Sequence, residues 1–237
     1  MKDKKFRALL LAAGFGTRLK PLTDTTPKCL IEVEKKPLLH SWLDKLENLQ
    51  IESVLINTHY LSKKVNQSIQ NWNGKNINIY TSYEKNLLGT AGTLLKNLDF
   101  FRGSKGLIIH ADNATKDDLK DFIKAHVCRP KDALITMLTF ETNNPKQCGV
   151  VKLDKRNMVK DFYEKVSNPP STLANGAIYA FDEDFIEFLK EISFSPVDIS
   201  RDLIPALNGR IYAYKTNSTF IDIGTHINLQ KARESWK

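Results

Sequence analysis

Two glycines and two cations near the start of the chain have residue types and spacings suited to holding a string of phosphates. Gly14 and Gly16 interrupt the chain shortly after the apolar run at residues 8–11. Arg18 and Lys28 follow them. Glycine lets backbone N–H groups approach phosphate oxygens closely, and successive amides form an anion-binding concavity. This stretch therefore predicts binding of a nucleoside triphosphate.

Neither of two common phosphate-binding loops fits this stretch. A Walker loop requires Gly-x-x-x-x-Gly-Lys-Ser/Thr, and no lysine follows Gly16 in that position. The dinucleotide fingerprint requires a third glycine where this chain has Leu19, which disfavours an NAD-dependent dehydrogenase. Because Pro21 restricts Lys20 and donates no N–H, we predict an extended loop after the glycines, not a helix.

Two aspartates that follow apolar runs have the chemistry of a metal site. Asp112 comes shortly after residues 107–109, and Asp222 follows Phe220 and Ile221. Magnesium is usually held by one or two carboxylates together with substrate phosphates and waters. Either aspartate alone would more often be a cap or turn residue. The prediction of a Mg²⁺ site rests on this pair in combination with the loop that contains Gly14 and Gly16, called the glycine loop below.

Small and polar residues elsewhere could contact the rest of a nucleotide or a phosphorylated sugar. Gly89 and Thr90 precede a predicted helix, where small residues allow close approach of a base or ribose; a helix start with Thr90 as N-cap is the alternative. Glu164-Lys165 and Asn175-Gly176 adjoin β-like runs. There, lysine could neutralise a second phosphate and asparagine could bind sugar hydroxyls, although a solvated turn explains each pair equally well.

The elements that must position these residues alternate between strand and helix. Apolar residues spaced by three and four predict a helix at 38–49, and short apolar runs predict strands at 53–57 and 106–110. Such alternation indicates an α/β fold with a mainly parallel sheet and helices on both faces. Ligands bind beyond the carboxyl ends of parallel strands. Several polar or flexible residues follow apolar strands at that edge: Gly14, Asn57, Glu84 and Asp112.

The domain organisation is predicted from a change in the sequence pattern near Gly149, after which the β-like apolar runs are shorter. Because no linker rich in Gly, Ser or Pro is present, we predict a single domain over residues 1–237. Within it, residues 1–140 form a nucleotide-binding lobe, and residues 141–237 form a smaller sugar-binding lobe with a C-terminal helix.

Composition narrows the partners and the location. The 237 residues carry a formal net charge of +8, but the lysines are scattered and no nucleic-acid-binding motif is evident, so no nucleic acid is expected. The sequence contains no apolar run of about 18 residues, so neither a membrane span nor a membrane partner is predicted. The three cysteines have no Cys-x-x-Cys pairing, and residues 1–5 leave no room for a signal peptide, so we expect a cytoplasmic protein. The sequence leaves a homo-oligomer open.

Taken together, these motifs resemble the nucleotidyltransferases that activate sugar 1-phosphates, and the resemblance spans nearly the whole chain. It rests on residues 11–19, 21–23, 27–28, 88–92, 112, 162–165, 175–176 and 222–225. Within the family, the chain length and the sequence at 27–30 look like bacterial guanylyltransferases for mannose- or heptose-type 1-phosphates. Short uridylyltransferases for amino-sugar 1-phosphates are almost as similar. Two departures concern loop shape: Ala111 replaces a common glycine, and His226 replaces a common proline.

The resemblance implies a Rossmann-like nucleotidyltransferase fold without the left-handed β-helix of longer members. It implies that Arg18 and Lys28 are catalytic, that Asp112 and Asp222 bind Mg²⁺, and that other residues bind the two substrates. The implied nucleotide-binding residues are Leu11, Ala12, Ala13, Gly14, Gly16, Thr17, Gly89 and Thr90. The implied sugar-phosphate-binding residues are Glu164, Lys165, Asn175 and Gly176.

The expected reaction is magnesium-dependent transfer of a nucleoside monophosphate, with GTP as the favoured donor, to a mannose- or heptose-like sugar 1-phosphate. Uridylyl transfer to an amino-sugar or hexose 1-phosphate is the alternative. A regulatory module that has kept the fold and lost activity is a third interpretation. The joint presence of Arg18, Lys28, Asp112 and Asp222 argues against it.

Overall fold

The structure is a computed structural model, and it describes residues 5–236. Its architecture is mixed α/β with a central, mainly parallel sheet, which confirms the predicted fold class. The prediction about a signal peptide depends on residues 1–5, of which residues 1–4 lie outside the described residues. None of the helices within residues 5–236 is both long enough and apolar enough to cross a bilayer.

The strands occur throughout the chain, and the longest is near the middle of its second half. In chain order they are β1 Phe6–Leu11, β2 Glu32–Val33, β3 Lys36–Pro37, β4 Ser53–Thr58, β5 Asn78–Tyr83, β6 Lys105–His110, β7 Asn113–Thr115, β8 Ile135–Glu141, β9 Gly149–Leu153, β10 Val159–Glu164, β11 Leu173–Phe181, β12 Ile211–Lys215 and β13 Phe220–Asp222.

The helices are short to medium in length. They are α1 Leu22–Thr25, α2 Leu38–Asn48, α3 Ser62–Gln70, α4 Gly89–Lys96, α5 Lys120–Val127, α6 Glu183–Glu191, α7 Ile204–Ala206 and α8 His226–Ser235. A π-helical turn, Ile199–Leu203, precedes α7, and 3₁₀ turns occur at Thr17–Leu19, Lys28–Leu30, Leu98–Phe101 and Pro145–Gln147.

The chain divides into two compact units, each assembled from separated stretches of sequence. The glycine-loop unit comprises Phe6–Leu87, Ile109–Asp118 and the chain from Ser218 onward. The bulged-strand unit comprises Lys5, Leu88–Ile108 and Leu119–Asn217. The lobes predicted at residues 1–140 and 141–237 are each continuous in sequence, and they are defined by the ligand that each is expected to bind. They therefore stay a prediction.

In the glycine-loop unit, β1, β4 and β5 form parallel pairs, with Leu9 opposite Leu55. All six residues of β4 are buried. Helix α2 follows the predicted helical spacing and buries its apolar face. Because parallel strands end at the same edge of a sheet, the residues that follow β1 and β4 lie side by side there.

A second small sheet in this unit brings two distant aspartates together. Strand β7 pairs antiparallel with β13, so that Asn113 is opposite Asp222, and the Ile223 N–H donates to the Asp112 carbonyl at 3.2 Å. A buried apolar cluster supports this pairing. Its members are Leu19, Ile31, Val33, Leu38, Ala114, Ile223, Leu229 and Ala232.

The stretch after the glycines is not the extended loop that Pro21 predicts; that prediction is wrong. It contains helical turns at Thr17–Leu19, Leu22–Thr25 and Lys28–Leu30. The Gly16 carbonyl accepts hydrogen bonds from the Leu19 N–H and the Thr23 hydroxyl, each at 2.9 Å. Burial of Leu19 and Thr23 draws the chain into these turns, which is a tertiary effect that local propensity does not contain.

The bulged-strand unit is named for an irregularity in β11. This strand pairs antiparallel with β8, and the register shifts between Asn175 and Tyr179. Ala177, inside the shift, has φ +51°, a left-handed conformation that is uncommon for alanine. The Asn175 Oδ1 accepts the Ala177 N–H at 2.9 Å and stabilises the bulge. Bulges of this kind redirect side chains and are frequent beside functional sites.

Aromatic packing forms part of the core of this unit. The Phe181 ring meets the Phe101 and Phe185 rings at centroid distances of 5.0 and 5.2 Å. Gly106 in β6 makes room for it, because a Cβ there would lie 2.0 Å from the Phe181 ring. These close contacts hold the end of β11 that lies beyond the bulge.

Candidate active site

The two glycines of the loop differ in what requires them. Gly16 has φ +66°, and a Cβ there would lie 2.8 Å from Thr23 Cγ2, so the fold itself requires this glycine. A Cβ on Gly14 would meet no atom within 4 Å. Packing therefore does not explain Gly14, and the open space beside it is what a loop needs when its backbone approaches a ligand.

The neighbours of these glycines are held to different extents. The Leu11 carbonyl accepts the Ala111 N–H at 3.1 Å, and the Ala12 N–H donates to Asn57 Oδ1 at 2.6 Å. The Ala13 side chain is buried, whereas Thr17 is exposed. The Ala12 amide thus already has a partner within the protein, and the loop opens to solvent only at and after Gly14.

Lys28, Asp112 and Asp222 meet in one ion cluster. The Lys28 ammonium forms an ion pair with Asp112 Oδ2 and lies 3.5 Å from Asp222 Oδ1. The Lys28 side chain is 11% exposed, compared with 30% for Asp112 and 49% for Asp222. The partly open edge of the cluster is therefore made by the carboxylates, and the lysine lies behind them.

The charges of this cluster stabilise one another. Burial lowers the pKa of Lys28, but the Asp112 and Asp222 carboxylates outweigh burial and raise it above its ordinary value. Burial raises the pKa of Asp112, but Lys28 and His110 hold it below its ordinary range. At neutral pH Lys28 is therefore an ammonium and Asp112 a carboxylate. The neighbouring Cys29 has a thiol whose pKa burial raises to about 12, so this thiol stays protonated.

Arg18 lies beside the same cluster. A Cβ on Gly224 would be 2.6 Å from Arg18 Nη2 and 2.9 Å from Asp222 Oδ1. The Gly224 N–H donates to Asp222 Oδ1 at 2.8 Å, which fixes that carboxylate. Glycine at 224 thus lets the guanidinium reach the backbone next to Asp222. The structure brings together the four charged residues that the sequence analysis selects in this unit: Arg18, Lys28, Asp112 and Asp222.

The donor set at this point fits a hard divalent cation. Two carboxylates converge on one position, and the Lys28 ammonium is a cation held between them. Within residues 5–236, no group of three or more His, Cys, Asp or Glu side chains is arranged to hold a metal. Two carboxylates suffice for Mg²⁺ when phosphate oxygens and waters complete its coordination.

In the bulged-strand unit, neighbouring hydroxyl groups hold the side-chain amide of Asn175. Its Nδ2 donates to the Tyr179 hydroxyl at 2.7 Å and lies 3.4 Å from Ser200 Oγ. Gly176 is buried inside the bulge. Burial raises the pKa of Tyr179, so its hydroxyl remains neutral. These bonds fix the direction of the Asn175 amide.

Glu164 and Lys165 form the second predicted pair of this unit. Lys165 Nζ lies 3.1 Å from Glu164 Oε1, and the Lys165 side chain is 61% exposed. The Lys165 backbone has φ +51°, and its N–H donates to the Cys148 carbonyl at 3.2 Å. A Cβ on Gly149 would lie 2.5 Å from Glu164 Oε2, so Gly149 leaves room for this carboxylate.

Gly89 and Thr90 begin α4, and both contact the segment at residues 197–203. Gly89 has φ +77°, and a Cβ there would lie 2.3 Å from the Val197 carbonyl oxygen. The Thr90 hydroxyl accepts the Ile199 N–H at 2.7 Å and donates to Asp198 Oδ2 at 3.2 Å. Leu88 is the N-cap of α4, so the alternative interpretation of Thr90 as N-cap is wrong.

A family model described as nucleotidyl transferase matches residues 7–236 of this chain. The match covers the glycine loop, the ion cluster and the bulged strand. The chain belongs to the nucleotidyl transferase family.

Proteins named as sugar-1-phosphate nucleotidyltransferases match most of the chain at modest identity. A mannose-1-phosphate guanylyltransferase catalytic subunit beta from Drosophila pseudoobscura pseudoobscura is 29% identical over 223 residues, which are 92% of this chain and 59% of that protein. A UTP–glucose-1-phosphate uridylyltransferase from Synechocystis is 29% identical over 236 residues, covering 92% of this chain and 60% of that protein. The chain thus spans about three-fifths of these relatives' length.

The fold of a solved structure of similar size matches that of nearly the whole chain. HddC from Yersinia pseudotuberculosis, crystallised in complex with GMP-PN, has a TM-score of 0.80 and 25% identity. The alignment covers 98% of this chain and 99% of that one. The fold of this chain is therefore similar to that of HddC over nearly its full length.

Several residues that support the site in this family member were missed as functional candidates. Asp198, Ser200 and Tyr179 hold Thr90 and Asn175 by hydrogen bonds. They have no motif spacing of their own, because their roles depend on contacts between distant stretches of chain. The signal that could have found Tyr179 is a phenol in a strand that is otherwise apolar after Ala177.

Proposed function

We propose that this chain transfers a nucleoside monophosphate from a nucleoside triphosphate to a sugar 1-phosphate and releases pyrophosphate. The observation that carries the proposal is the cluster of Lys28, Asp112 and Asp222 beside an open glycine loop, in a chain of the nucleotidyl transferase family. A phosphate monoester is largely deprotonated at neutral pH, so its oxygen can attack the α-phosphorus without a general base. The main task of the protein is then to hold anions together.

The charged residues of the glycine-loop unit take distinct roles in this proposal. The loop at Gly14 holds the triphosphate, Arg18 neutralises its β and γ phosphates, and Lys28 meets the α-phosphate. Asp112 and Asp222 would hold Mg²⁺, which would supply positive charge to the phosphates when bound. The donor set described above supports these assignments, because two carboxylates and two cations surround a single region of this unit.

Residues of the bulged-strand unit would bind the acceptor. Asn175 and Glu164 would hydrogen-bond sugar hydroxyls, Lys165 would neutralise the sugar phosphate, and Gly176 would allow close approach. Gly89 and Thr90 would border the nucleoside. The fixed direction of the Asn175 amide and the exposure of the Lys165 ammonium support these roles.

The favoured donor in the proposal is GTP, and the favoured acceptor is a mannose- or heptose-like 1-phosphate. The guanylyltransferase relative and the HddC structure with GMP-PN support this choice. The uridylyltransferase relative supports uridylyl transfer as the second candidate. The cytoplasm is the proposed location, since the reaction consumes a nucleoside triphosphate and the three cysteines are free.

A panel assay tests the proposal. GTP, UTP, TTP and ATP are each combined with mannose, heptose, glucose and N-acetylglucosamine 1-phosphates, and pyrophosphate is measured with Mg²⁺ and with EDTA. We expect the highest rate with GTP and a mannose- or heptose-type acceptor, and none with EDTA. A higher rate with UTP would replace the guanylyl assignment by the uridylyl one. Absence of pyrophosphate from every pair would overturn the proposed function.

A further inference from the structure

The last residues of β4 and the loop that follows this strand contact the glycine loop at two points. The Ala12 N–H donates to Asn57 Oδ1 at 2.6 Å, and the Phe15 ring packs against the His59 and Tyr60 rings at centroid distances of 5.3 and 5.5 Å. Ala12 and Phe15 are thus both tied to residues 57–60. Gly14, which packing does not require, lies between these two fixed points.

The orientation of Asn57 is determined by what it bonds. Its Nδ2 donates to Glu84 Oε1 at 2.9 Å, while its Oδ1 accepts from Ala12. A backbone N–H can only donate and a carboxylate can only accept, so the amide can satisfy both partners in one orientation only. Asn57 is 4% exposed and Glu84 is 1% exposed, so water has little access to the bond between them.

Glu84 is itself fixed to the end of β4. Its N–H donates to the Thr58 carbonyl at 2.9 Å, and its carbonyl accepts from His59 Nδ1 at 2.8 Å. The connection therefore runs from the backbone after β5, through the Glu84 carboxylate and the Asn57 amide, to the first amide of the glycine loop. All of these residues belong to the glycine-loop unit.

We propose that Asn57 is a positioning residue for the nucleoside triphosphate and that Glu84 holds it in place. The inference rests on the proposed function, in which the glycine loop binds the phosphates. Asn57 fixes the Ala12 end of this loop and thereby sets the direction of the amides at Gly14. Loss of this bond weakens triphosphate binding and leaves the affinity for the sugar 1-phosphate unchanged.

A carboxylate exchange tests the proposal. Asn57→Asp removes the amide donor and puts a second carboxylate beside Glu84, and we expect a rise of about tenfold or more in the dissociation constant for Mg·GTP and in its KM. Glu84→Gln keeps an acceptor for the Asn57 amide and should change these values less than threefold. The double variant Asn57→Asp/Glu84→Gln restores one donor and one carboxylate to the pair. It should return the KM to within about threefold of wild type.

Two further variants and two measurements separate a positioning role of Asn57 from a general effect on the structure. Asn71→Asp, at an exposed position at the end of α3, adds the same charge in the same unit and should leave both substrates' KM unchanged. Asn57→Ala removes both bonds without adding charge, and it replaces Asn57→Asp if the latter does not fold. Thermal melting of every variant checks the fold, and calorimetry measures GTP and UTP binding without turnover.

The outcomes distinguish this inference from the proposed function. Recovery in the double variant, with the sugar 1-phosphate KM constant throughout, supports positioning. Equal rises in the KM values of both substrates overturn it. So does a double variant whose triphosphate KM is as high as that of Asn57→Asp when the two proteins have the same melting temperature. Unchanged triphosphate affinity in Asn57→Asp overturns the inference and leaves the proposed function intact. In a further outcome, the wild type binds GTP but releases no pyrophosphate, and Asn57→Asp binds GTP more weakly than the wild type. That outcome supports the inference and refutes the proposed function.

Discussion

The two units hold their candidate residues in different ways. In the glycine-loop unit, Lys28 contacts two aspartates from other stretches of the chain, and these charged groups meet one another directly. In the bulged-strand unit, Asn175 and Thr90 bond to supporting residues, and the Glu164–Lys165 pair is adjacent in sequence. The first arrangement concentrates charge and suits phosphates and a metal. The second fixes the directions of polar side chains and suits the hydroxyl groups of a ligand, with one exposed lysine available for a phosphate.

The aspartates should give the largest effect and test the first half of this comparison. Asp112→Asn and Asp222→Asn each retain side-chain shape and remove a negative charge, so turnover should fall by about 1,000-fold or more, corresponding to several kcal/mol of transition-state stabilisation. Steady-state assays over a range of Mg²⁺ concentrations measure this. Near-normal turnover in a folded variant would remove that residue from the proposed metal site.

Lys28→Met should follow, with a loss of roughly 100- to 1,000-fold in kcat and a modest change in nucleotide affinity, because a cation that meets the α-phosphate acts mainly in the transition state. Lys28→Arg should not rescue fully, since a planar guanidinium cannot replace a compact charge between two carboxylates. Lys36→Met, which removes a lysine from an exposed ion pair with Asp44, is the control. Unchanged kcat with tenfold weaker nucleotide binding would make Lys28 a ground-state contact.

A reciprocal pair of variants compares the units directly. Arg18→Ala should raise the KM for the triphosphate about tenfold and leave that for the sugar 1-phosphate nearly constant. Lys165→Ala should do the opposite, since its exposed ammonium is proposed to meet the other phosphate. Separate KM values for the two substrates provide the measurement. The reversed pattern would mean that the two phosphates have been assigned to the wrong cations.

The two loop glycines should separate ligand approach from folding. Gly14→Ala has free space around the added Cβ, so its melting temperature should stay near wild type while the triphosphate KM rises about fivefold. Gly16→Ala forces a left-handed alanine against Thr23 and should lower the free energy of unfolding by about 1–3 kcal/mol. Melting curves and kinetics of both proteins are compared. Equal destabilisation by the two changes would contradict the distinction.

The smallest expected effect is an acid-dependent loss of stability that originates in the bulged-strand unit. Burial, only partly opposed by Asp182, lowers the pKa of His126, whose Nε2 lies 3.6 Å from Asp182 Oδ1. Below about pH 6.5 the unfolded chain therefore binds a proton that the folded chain resists, and the free energy of unfolding falls with pH by at most about 1.4 kcal/mol per pH unit from this group.

Burial raises the pKa of Asp182, but His126 and Arg129 outweigh it and hold the pKa well below its usual range, so this carboxylate adds a loss of stability only at still lower pH. In His126→Gln the fall in stability between pH 7 and pH 5 should become shallower. Urea unfolding at pH 7, 6 and 5 measures the slope. Identical slopes in the two proteins would show that His126 does not contribute.

The sequence was sufficient to select the residues of the ion cluster, but not the ion pairs between them. Lys28 follows the glycine loop, and Asp112 and Asp222 each end an apolar run, so charge and position in the sequence identify the three residues. The pairing of β7 with β13, which brings Asp112 and Asp222 together, carries no signal in the sequence. The helical turns at residues 17–30 were not predictable in this way, because they form through burial of Leu19 and Thr23 against distant residues.

The bulged strand marks a second limit of sequence reasoning. Asn175 and Gly176 indicate a turn or a strand start, whereas the structure has one strand over Leu173–Phe181 with Ala177 in a left-handed conformation. Alanine carries no signal for that conformation, since it is stabilised by the Asn175 side chain and the pairing with β8. The composition of the two units from separated stretches is equally invisible, because it depends on which strands pair.

The separation of the ion-cluster residues along the chain has a consequence for synthesis. Asp112 is 84 residues after Lys28, and Asp222 is 194 residues after it. At a synthesis rate of about 5–20 residues per second, Lys28 is made roughly 10–40 seconds before Asp222, its second carboxylate. A nascent chain can therefore fold its first three parallel strands around an incomplete charge cluster. The candidate metal site becomes whole only when the strand that carries Asp222 pairs with β7.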